Sequence, residues 1–308
     1  PLLQSLQQVC ERLNLSWEAV LVDDGSSDSS WDNIVRLAHG HSNLSAIRLS
    51  RNFGKESAIY AGLLYAWGET LVVIDSDLQH PPELIEQMWS RLHDPASDQA
   101  VEIVSAVKQK RQRESITREV AARIFYWLFL KSTGIDLKSS TDFKMMTSRV
   151  RSLYLSLPER YRFFRGLTCW FGLPEATIEF SPSDRPESGA SRWTVSALSR
   201  YAVRNQISFS SLPIRALAAL GGITLLFALG LGGQTLLNWI QGQAIEGFTT
   251  VILSLLIIGS ILMIGLSIIG AYVAEIFHQV RQRPSFIVWQ KLIASERPDP
   301  EASDPTDP

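Results

Sequence analysis

The chain has 308 residues, with 29 Lys plus Arg against 31 Asp plus Glu and a formal net charge of −2. That balance excludes nucleic-acid binding through bulk charge, and 45% hydrophobic against 19% charged residues excludes overall disorder. Cys10 and Cys169 are too far apart for a Cys-x-x-Cys motif and read as packing cysteines in a reducing compartment.

In chain order, Glu18 to Val22 reads as a strand ending in Asp23-Asp24-Gly25-Ser26, followed by a helix from Asp28 to Ala38. Leu44 to Leu49 is a second strand, and Lys55 to Trp67 a helix closed by Gly68. Thr70 to Ile74 is a strand ending at Asp75; Pro81 and Pro82 then open a helix to about Leu92. Val101 to Val107 is a strand and Ser115 to Lys131 a helix. This alternation predicts an α/β domain over residues 1–185 built on a mostly parallel sheet. Ligands of such sheets bind beyond the carboxyl ends of the strands, where Asp23/Asp24 and Asp75/Asp77 both fall. For Asp23, Asp24 and Asp28 the competing reading is helix capping. Asp75 and Asp77 repel each other unless a cation sits between them, which suits a magnesium-like ion that neutralises a departing nucleoside diphosphate.

Two later runs are uncharged, Ala216 to Leu237 and Phe248 to Ala274. Roughly 20 apolar helical residues cross a bilayer core, so residues 213–278 read as a two-helix transmembrane hairpin. Arginines flank its outer ends, Arg200, Arg204 and Arg215 before and Arg281 and Arg283 after, whereas the loop between the spans has none. The positive-inside rule puts both flanks in the cytoplasm. Small-x-x-x-small pairs (Ala218/Gly222, Ala228/Gly232, Ser267/Ala271, Gly270/Ala274) offer close helix contact within the hairpin or between copies. Residues 186–212 read as an interfacial amphipathic segment, with core packing as the alternative. Phe125, Tyr126, Trp127 and Phe129 read as an apolar approach for a prenyl chain or as core. Residues 279–308 read as a cytoplasmic tail with a disordered end.

The runs Val22-Asp23-Asp24-Gly25-Ser26-Ser27-Asp28, Arg51-Asn52-Phe53-Gly54-Lys55 and Asp75-Ser76-Asp77-Leu78-Gln79-His80-Pro81-Pro82-Glu83 resemble family-two glycosyltransferases of the GT-A (Rossmann-like) fold. More narrowly, the chain resembles the GtrB-like polyprenyl-phosphate glycosyltransferases, relatives of dolichol-phosphate mannose synthase. Thr141-Asp142-Phe143-Lys144, Phe164-Arg165-Gly166 and Gly189-Ala190-Ser191-Arg192-Trp193 extend the likeness.

The resemblance implies inverting transfer of a hexose, glucose by preference, from a UDP-sugar to undecaprenyl or another polyprenyl phosphate at the inner (plasma) membrane. It assigns Asp23, Asp24, Asp75, Lys55, Arg185 and Arg192 to the donor, and Asp75, Asp77 and Gln79 to Mg2+ or Mn2+. Asp142 and Asp77 are the implied catalytic acids, and Arg118, Arg123 and Ser132 the grip on the acceptor phosphate. Implied partners are the membrane, further copies of the chain and a downstream flippase, with no nucleic acid. A phosphate monoester is largely a dianion at neutral pH, so the acceptor is already a nucleophile. Two rivals are a processive polysaccharide synthase, whose Gln-x-x-Arg-Trp motif and additional spans are not found, and a catalytically silent nucleotide-binding module. The sequence departs from the family pattern in three places. The opening strand with its Pro-x-Tyr-Asn-Glu segment has no counterpart ahead of Pro1, which suggests an incompletely represented protein; Arg185 stands four residues before Gly189; and Arg192 replaces the common Lys.

Overall fold

The computed structural model describes residues 2–77, 79–95, 100–108, 116–137, 140–160, 162–180, 209–241 and 247–294. The chain divides into two compact units: Pro1–Leu130, Gly134–Arg192 and Gln282–Pro308 form one, Lys131–Thr133 and Trp193–Arg281 the other.

In the first unit, α1 (Leu2–Arg12) precedes β1 (Ala19–Asp23), α2 (Ser30–His39), β2 (Leu44–Leu49), α3 (Lys55–Tyr65), β3 (Thr70–Val73), α4 (Leu84–Leu92) and β4 (Ile103–Lys108). Next come α5 (Ile116–Thr133), whose last turn clusters with the second unit, and then β5 (Lys144–Thr147), α6 (Ser148–Ser156), α7 (Phe164–Trp170) and β6 (Glu175–Phe180). The predicted strands and helices of the first hundred residues are present, with no end shifted by more than three residues.

The strands form two sheets rather than one mostly parallel sheet. One has the order β1-β2-β7, where β7 is Val288–Leu292; the other has the order β3-β5-β4-β6. β1–β2 and β4–β6 are parallel, and β2–β7, β3–β5 and β4–β5 are antiparallel. The parallel β1–β2 pair is the one that strand–helix–strand alternation predicts, joined through α2. The antiparallel pairs come from β5 and β7, strands of four and five residues that carry Lys144 and Gln290-Lys291 and lack an apolar alternation.

β7 also corrects the expected tail. Residues after the second apolar helix do not trail away: Leu49 pairs with Val288, Ala46 with Leu292, and Phe286 is buried with Ile47, Leu49, Ala61 and Tyr65. Residues 295–308, the expected disordered end, lie outside the described residues. The larger core cluster is the amphipathic face of α4, Leu84, Ile85, Met88 and Leu92, with Val104, Ala106, Phe143, Met145 and Phe180.

The second unit contains α8 (Leu212–Ile240) and α9 (Phe248–Val280). Leu212–Gln234 and Ile257–Val280 are long and apolar enough to cross a membrane, with mean hydropathies of 2.0 and 2.2. They are almost entirely unburied, with Leu226 71% and Leu262 67% exposed. A soluble core helix of this composition would be covered by protein; these present their apolar side chains outward, as a lipid solvent requires. α9 runs past Ala274 and takes in Glu275 and His278. Within the hairpin the close approach is at Gly265, where a Cβ would come 2.9 Å from the Leu217 side chain. Gly222, Gly232 and Gly270 of the small-residue pairs face open space, so those pairs do not form the intramolecular contact. The Tyr272 hydroxyl donates to the Ser210 carbonyl at 2.6 Å and ties α9 to the residues preceding α8.

Candidate active site

β1 ends in the acidic pair, and the turn after it is fixed by glycine. Gly25 has φ +68°, and a Cβ there would lie 2.3 Å from the Arg51 backbone, so only glycine lets this turn lie against residues 51–54. Across that contact, Asp24 accepts the Phe53 N–H at 2.7 Å and the Gly54 N–H at 2.9 Å, just ahead of α3. Burial pushes the Asp24 carboxyl up, against the lowering effect of those two N–H groups. Asp23 is buried, accepts the Ser26 N–H at 3.2 Å and pairs with Arg48 Nε at 3.3 Å. Asp28 accepts the Ser30 N–H at 3.0 Å from the position before the helix's N-cap, Ser29, so it is not the cap itself. Asp23 and Asp24 are thus anchored in local structure, whatever they contact besides.

The second acidic locus follows from strand register. Val73 of β3 faces Lys144 of β5 in an antiparallel pair, so Asp75, two residues beyond Val73, and Asp142, two before Lys144, leave the sheet at the same end. Thr141 secures the second loop by donating to the Ala106 carbonyl at 2.7 Å. The first residue of α3, Lys55, then bridges the acids. Its ammonium lies 2.8 Å from the Asp75 carboxylate and 2.9 Å from Asp142 Oδ2. Arg165, in the first turn of α7, reaches the same Asp142 oxygen at 3.2 Å. Glu56 joins the starts of α3 and α7 by accepting the Phe164 N–H at 2.8 Å, and so positions both cations.

Burial alone would push the Asp142 carboxyl up, but Arg165 and Lys55 together outweigh it and hold the group below the ordinary carboxylate range. Burial likewise pulls the Lys55 ammonium down, and Asp142 and Asp75 overcome that and raise it. Lys55 and Asp142 are therefore each held in the charged form by the other, with both signs at contact distance. His80 is buried behind it, with Nδ1 4.0 Å from Asp75 and its ring 5.0 Å from that of Phe143. Asp77 is exposed on the following turn, where it accepts the Gln79 N–H at 3.1 Å.

Residues 1–154 match the model of glycosyl transferase family 2. An uncharacterized glycosyltransferase of Synechocystis sp. is 32% identical over 285 residues, 92% of this chain and 88% of its own length. The chain belongs to glycosyltransferase family 2. A prophage bactoprenol glucosyl transferase homolog of Escherichia coli is 29% identical, covering 88% of this chain and 87% of its own. A solved mannosyl-3-phosphoglycerate synthase from Rubrobacter xylanophilus aligns with a TM-score of 0.46 and 18% identity over 71% of this chain and 69% of that one. Membership accords with a GT-A α/β domain carrying acids at its strand ends, and with a transferase activity.

Of the residues singled out in the sequence, the structure brings Lys55, Asp75 and Asp142 into direct contact and puts Asp23 and Asp24 on the neighbouring turn. Arg123 is exposed on α5, and Ser132 clusters with the second unit. Arg118 also lies on α5, but its side chain, like the whole of Arg185, Arg192 and residues 186–208, is outside the described residues. The aromatic cluster divides: Phe129 is buried 6.2 Å from Phe163, while Trp127 is 56% exposed. Sequence reasoning gave Arg165 no site role, although it stands in the quoted Phe164-Arg165-Gly166 run. The signal lay in that run, but only the fold brings Arg165 to Asp142.

Proposed function

We propose that this protein transfers glucose from UDP-glucose to a polyprenyl phosphate, with inversion at the anomeric carbon, at the cytoplasmic face of a membrane. One observation carries the reading. A charged cluster of Lys55, Asp75, Asp142 and Arg165 lies at the strand ends of a family-two domain, in a chain that also has two helices long enough to cross a bilayer. Bactoprenol glucosyl transferases of Shigella phages, 28% identical over 88% of this chain, support the lipid acceptor and the sugar.

In this reading the acceptor's phosphate oxygen attacks the anomeric carbon from the face opposite UDP. The new C–O bond forms as the bond to the β-phosphate breaks, and the electron pair leaves with UDP. The nucleophile is already an anion, so the protein has no need of a strong general base. Its task is to hold two anions together. Asp142, kept ionised by Lys55 and Arg165, orients the sugar and acceptor, and Lys55 and Arg165 supply positive charge beside the transferring group. Asp23 and Asp24 face the base and ribose. Arg118, Arg123 and Ser132 grip the acceptor phosphate, and Arg185 and Arg192 close over the donor.

The donor set of Asp75, Asp77 and Gln79 fits a hard divalent ion. It offers oxygen ligands only, and Asp77 is exposed, leaving room for water and phosphate oxygens, while an ion there would share Asp75 with the Lys55 ammonium 2.8 Å away. Mg2+ or Mn2+ bound there would neutralise the diphosphate of the donor.

The test uses the full chain in membranes with labelled UDP-glucose and undecaprenyl phosphate. A monoglucosyl lipid is the expected product. A polymer would support a processive synthase instead, and no product across a donor panel with metal restored would support a silent module.

A further inference from the structure

The segment between α6 and α7 encloses a cleft that the transfer chemistry leaves unused. Its volume is about 380 Å³, and its walls are Tyr60, Leu157, Glu159, Arg160, Arg162 and the stretch Pro284 to Phe286. Arg162 is only 6% exposed. Its guanidinium lies 3.6 Å over the Tyr60 ring, and one terminal nitrogen donates to the Leu157 carbonyl at 2.7 Å. Its Nε is buried without a hydrogen-bond partner. An unmade donor on a buried cation is costly and calls for an acceptor of opposite charge. Glu159 lines the same cleft but is exposed, and it does not supply that Nε with an acceptor. Arg160 adds a second guanidinium, turned toward the Arg283 carbonyl, and Ser285 ties this wall together by donating to the Arg160 carbonyl at 3.2 Å.

We propose that this cleft binds a phosphate group through Arg162, either the headgroup of an acidic phospholipid or free phosphate. The guanidinium presents a planar fork that matches phosphate oxygens, and charge-assisted bonds of this kind are the strong ones. The location favours such a ligand, because the wall at Pro284 begins four residues after α9 ends at Val280. A helix that crosses a bilayer ends at the level of the headgroups. Neither Arg123 nor Ser132 of the acceptor grip proposed above is among the described residues that line the cleft. Arg162 stands three residues ahead of Arg165, which belongs to the active cluster.

The full chain, in phosphatidylcholine nanodiscs with and without phosphatidylglycerol, is assayed for thermal unfolding and, after release, for retained lipid by native mass spectrometry. A parallel series in neutral detergent adds inorganic phosphate against chloride at equal ionic strength. Wild type should favour the phosphate-bearing condition, and Arg162→Gln should weaken that preference by about tenfold. Glu159→Gln, which removes the opposing carboxylate without touching the guanidinium, should strengthen it, and it keeps the test open if Arg162→Gln does not fold. A response to phosphatidylglycerol alone identifies a lipid headgroup, and an equal response to inorganic phosphate identifies the free anion; both support the site. No preference for either phosphate source, or a preference unchanged in Glu159→Gln and in any folded Arg162→Gln, overturns it. The readout is binding, so the result stands whatever sugar the enzyme transfers.

Discussion

Replacing Phe286 by alanine tests whether the chain leaving the second apolar helix belongs to the catalytic core. Phe286 is 8% exposed, packs with Ile47, Leu49, Ala61 and Tyr65, and meets the Tyr60 ring edge-on at 5.6 Å. Truncating a buried Phe costs about 3–5 kcal/mol, including the cavity it leaves. Its cluster is small and β7 is an edge strand, so the lower end, about 3 kcal/mol, is expected. That is a large share of the roughly 5–15 kcal/mol that holds a domain folded. Trp289→Ala, at a side chain 68% exposed on the same segment, should stay within about 0.5 kcal/mol of wild type. Urea unfolding of the detergent-solubilised protein, followed by tryptophan fluorescence for Phe286→Ala and by proteolysis for Trp289→Ala, measures both. Donor affinity should fall with Phe286→Ala as well. The Ser50 N–H donates to the Ile287 carbonyl at 2.9 Å and the Ser57 hydroxyl to the Ser285 carbonyl at 3.1 Å, on either side of the residues that hold Asp24 and carry Lys55. If Phe286→Ala and Trp289→Ala proved equally mild, the idea that this segment braces the site would be wrong.

Asp77→Ala, folded as wild type, should lower turnover about a thousandfold through loss of the divalent ion, and Asp75→Ala should do nearly the same and leave Lys55 paired with Asp142 alone; chelation and metal titration of each variant checks this. Asp142→Asn should cut turnover and also change the pH dependence of stability. The folded Asp142 carboxyl titrates below its unfolded value of about 3.9, so its stabilisation is complete above that pH and is lost as pH falls through the folded value. Urea midpoints from pH 6 to pH 3 should therefore converge between wild type and variant, and parallel curves would refute the ion-pair account. Deleting residues 213–280 and joining the ends with a flexible linker should leave a domain that still binds UDP and metal and accepts a short soluble prenyl phosphate. A chain stopped at residue 208, which also loses β7, should fail in both, and equal behaviour of the two deletion variants in a UDP-binding assay would contradict the fold.

How much of this was legible depended on the range of the contacts. β1, β2, α3 and β3 show themselves through short apolar runs punctuated by Gly, Pro and acids, and Asp75 could be placed at a strand end from those runs alone. The two apolar spans are equally plain, because lipid imposes a composition that no neighbour needs to explain. Lys55 was read as a donor residue, but its place between Asp75 and Asp142 depends on the β3–β5 register, which no local pattern encodes. β5 is hard to delimit from its own residues because Lys144, at its head, is fully buried and satisfied by Glu175 at 2.9 Å, a partner 31 residues away. A lysine in a core strand breaks the apolar pattern unless its partner is already known.

β7 adds a consequence for how the membrane hairpin and the catalytic unit depend on each other. The first unit is made from residues on both sides of the hairpin, so residues 193–281 are inserted into it rather than appended. Closing a flexible loop of that length carries an entropy cost that grows only slowly, about 0.6 kcal/mol for each doubling. A formed hairpin lowers this cost, because antiparallel α8 and α9 return the chain near its starting point, as the Tyr272 bond to Ser210 does at their ends. β7 therefore docks onto β2 more readily once the hairpin has folded in the membrane. Assembly of the hairpin and completion of the sheet that carries Asp23 and Asp24 become thermodynamically linked, and a chain whose hairpin has not assembled holds that sheet less firmly than one that has.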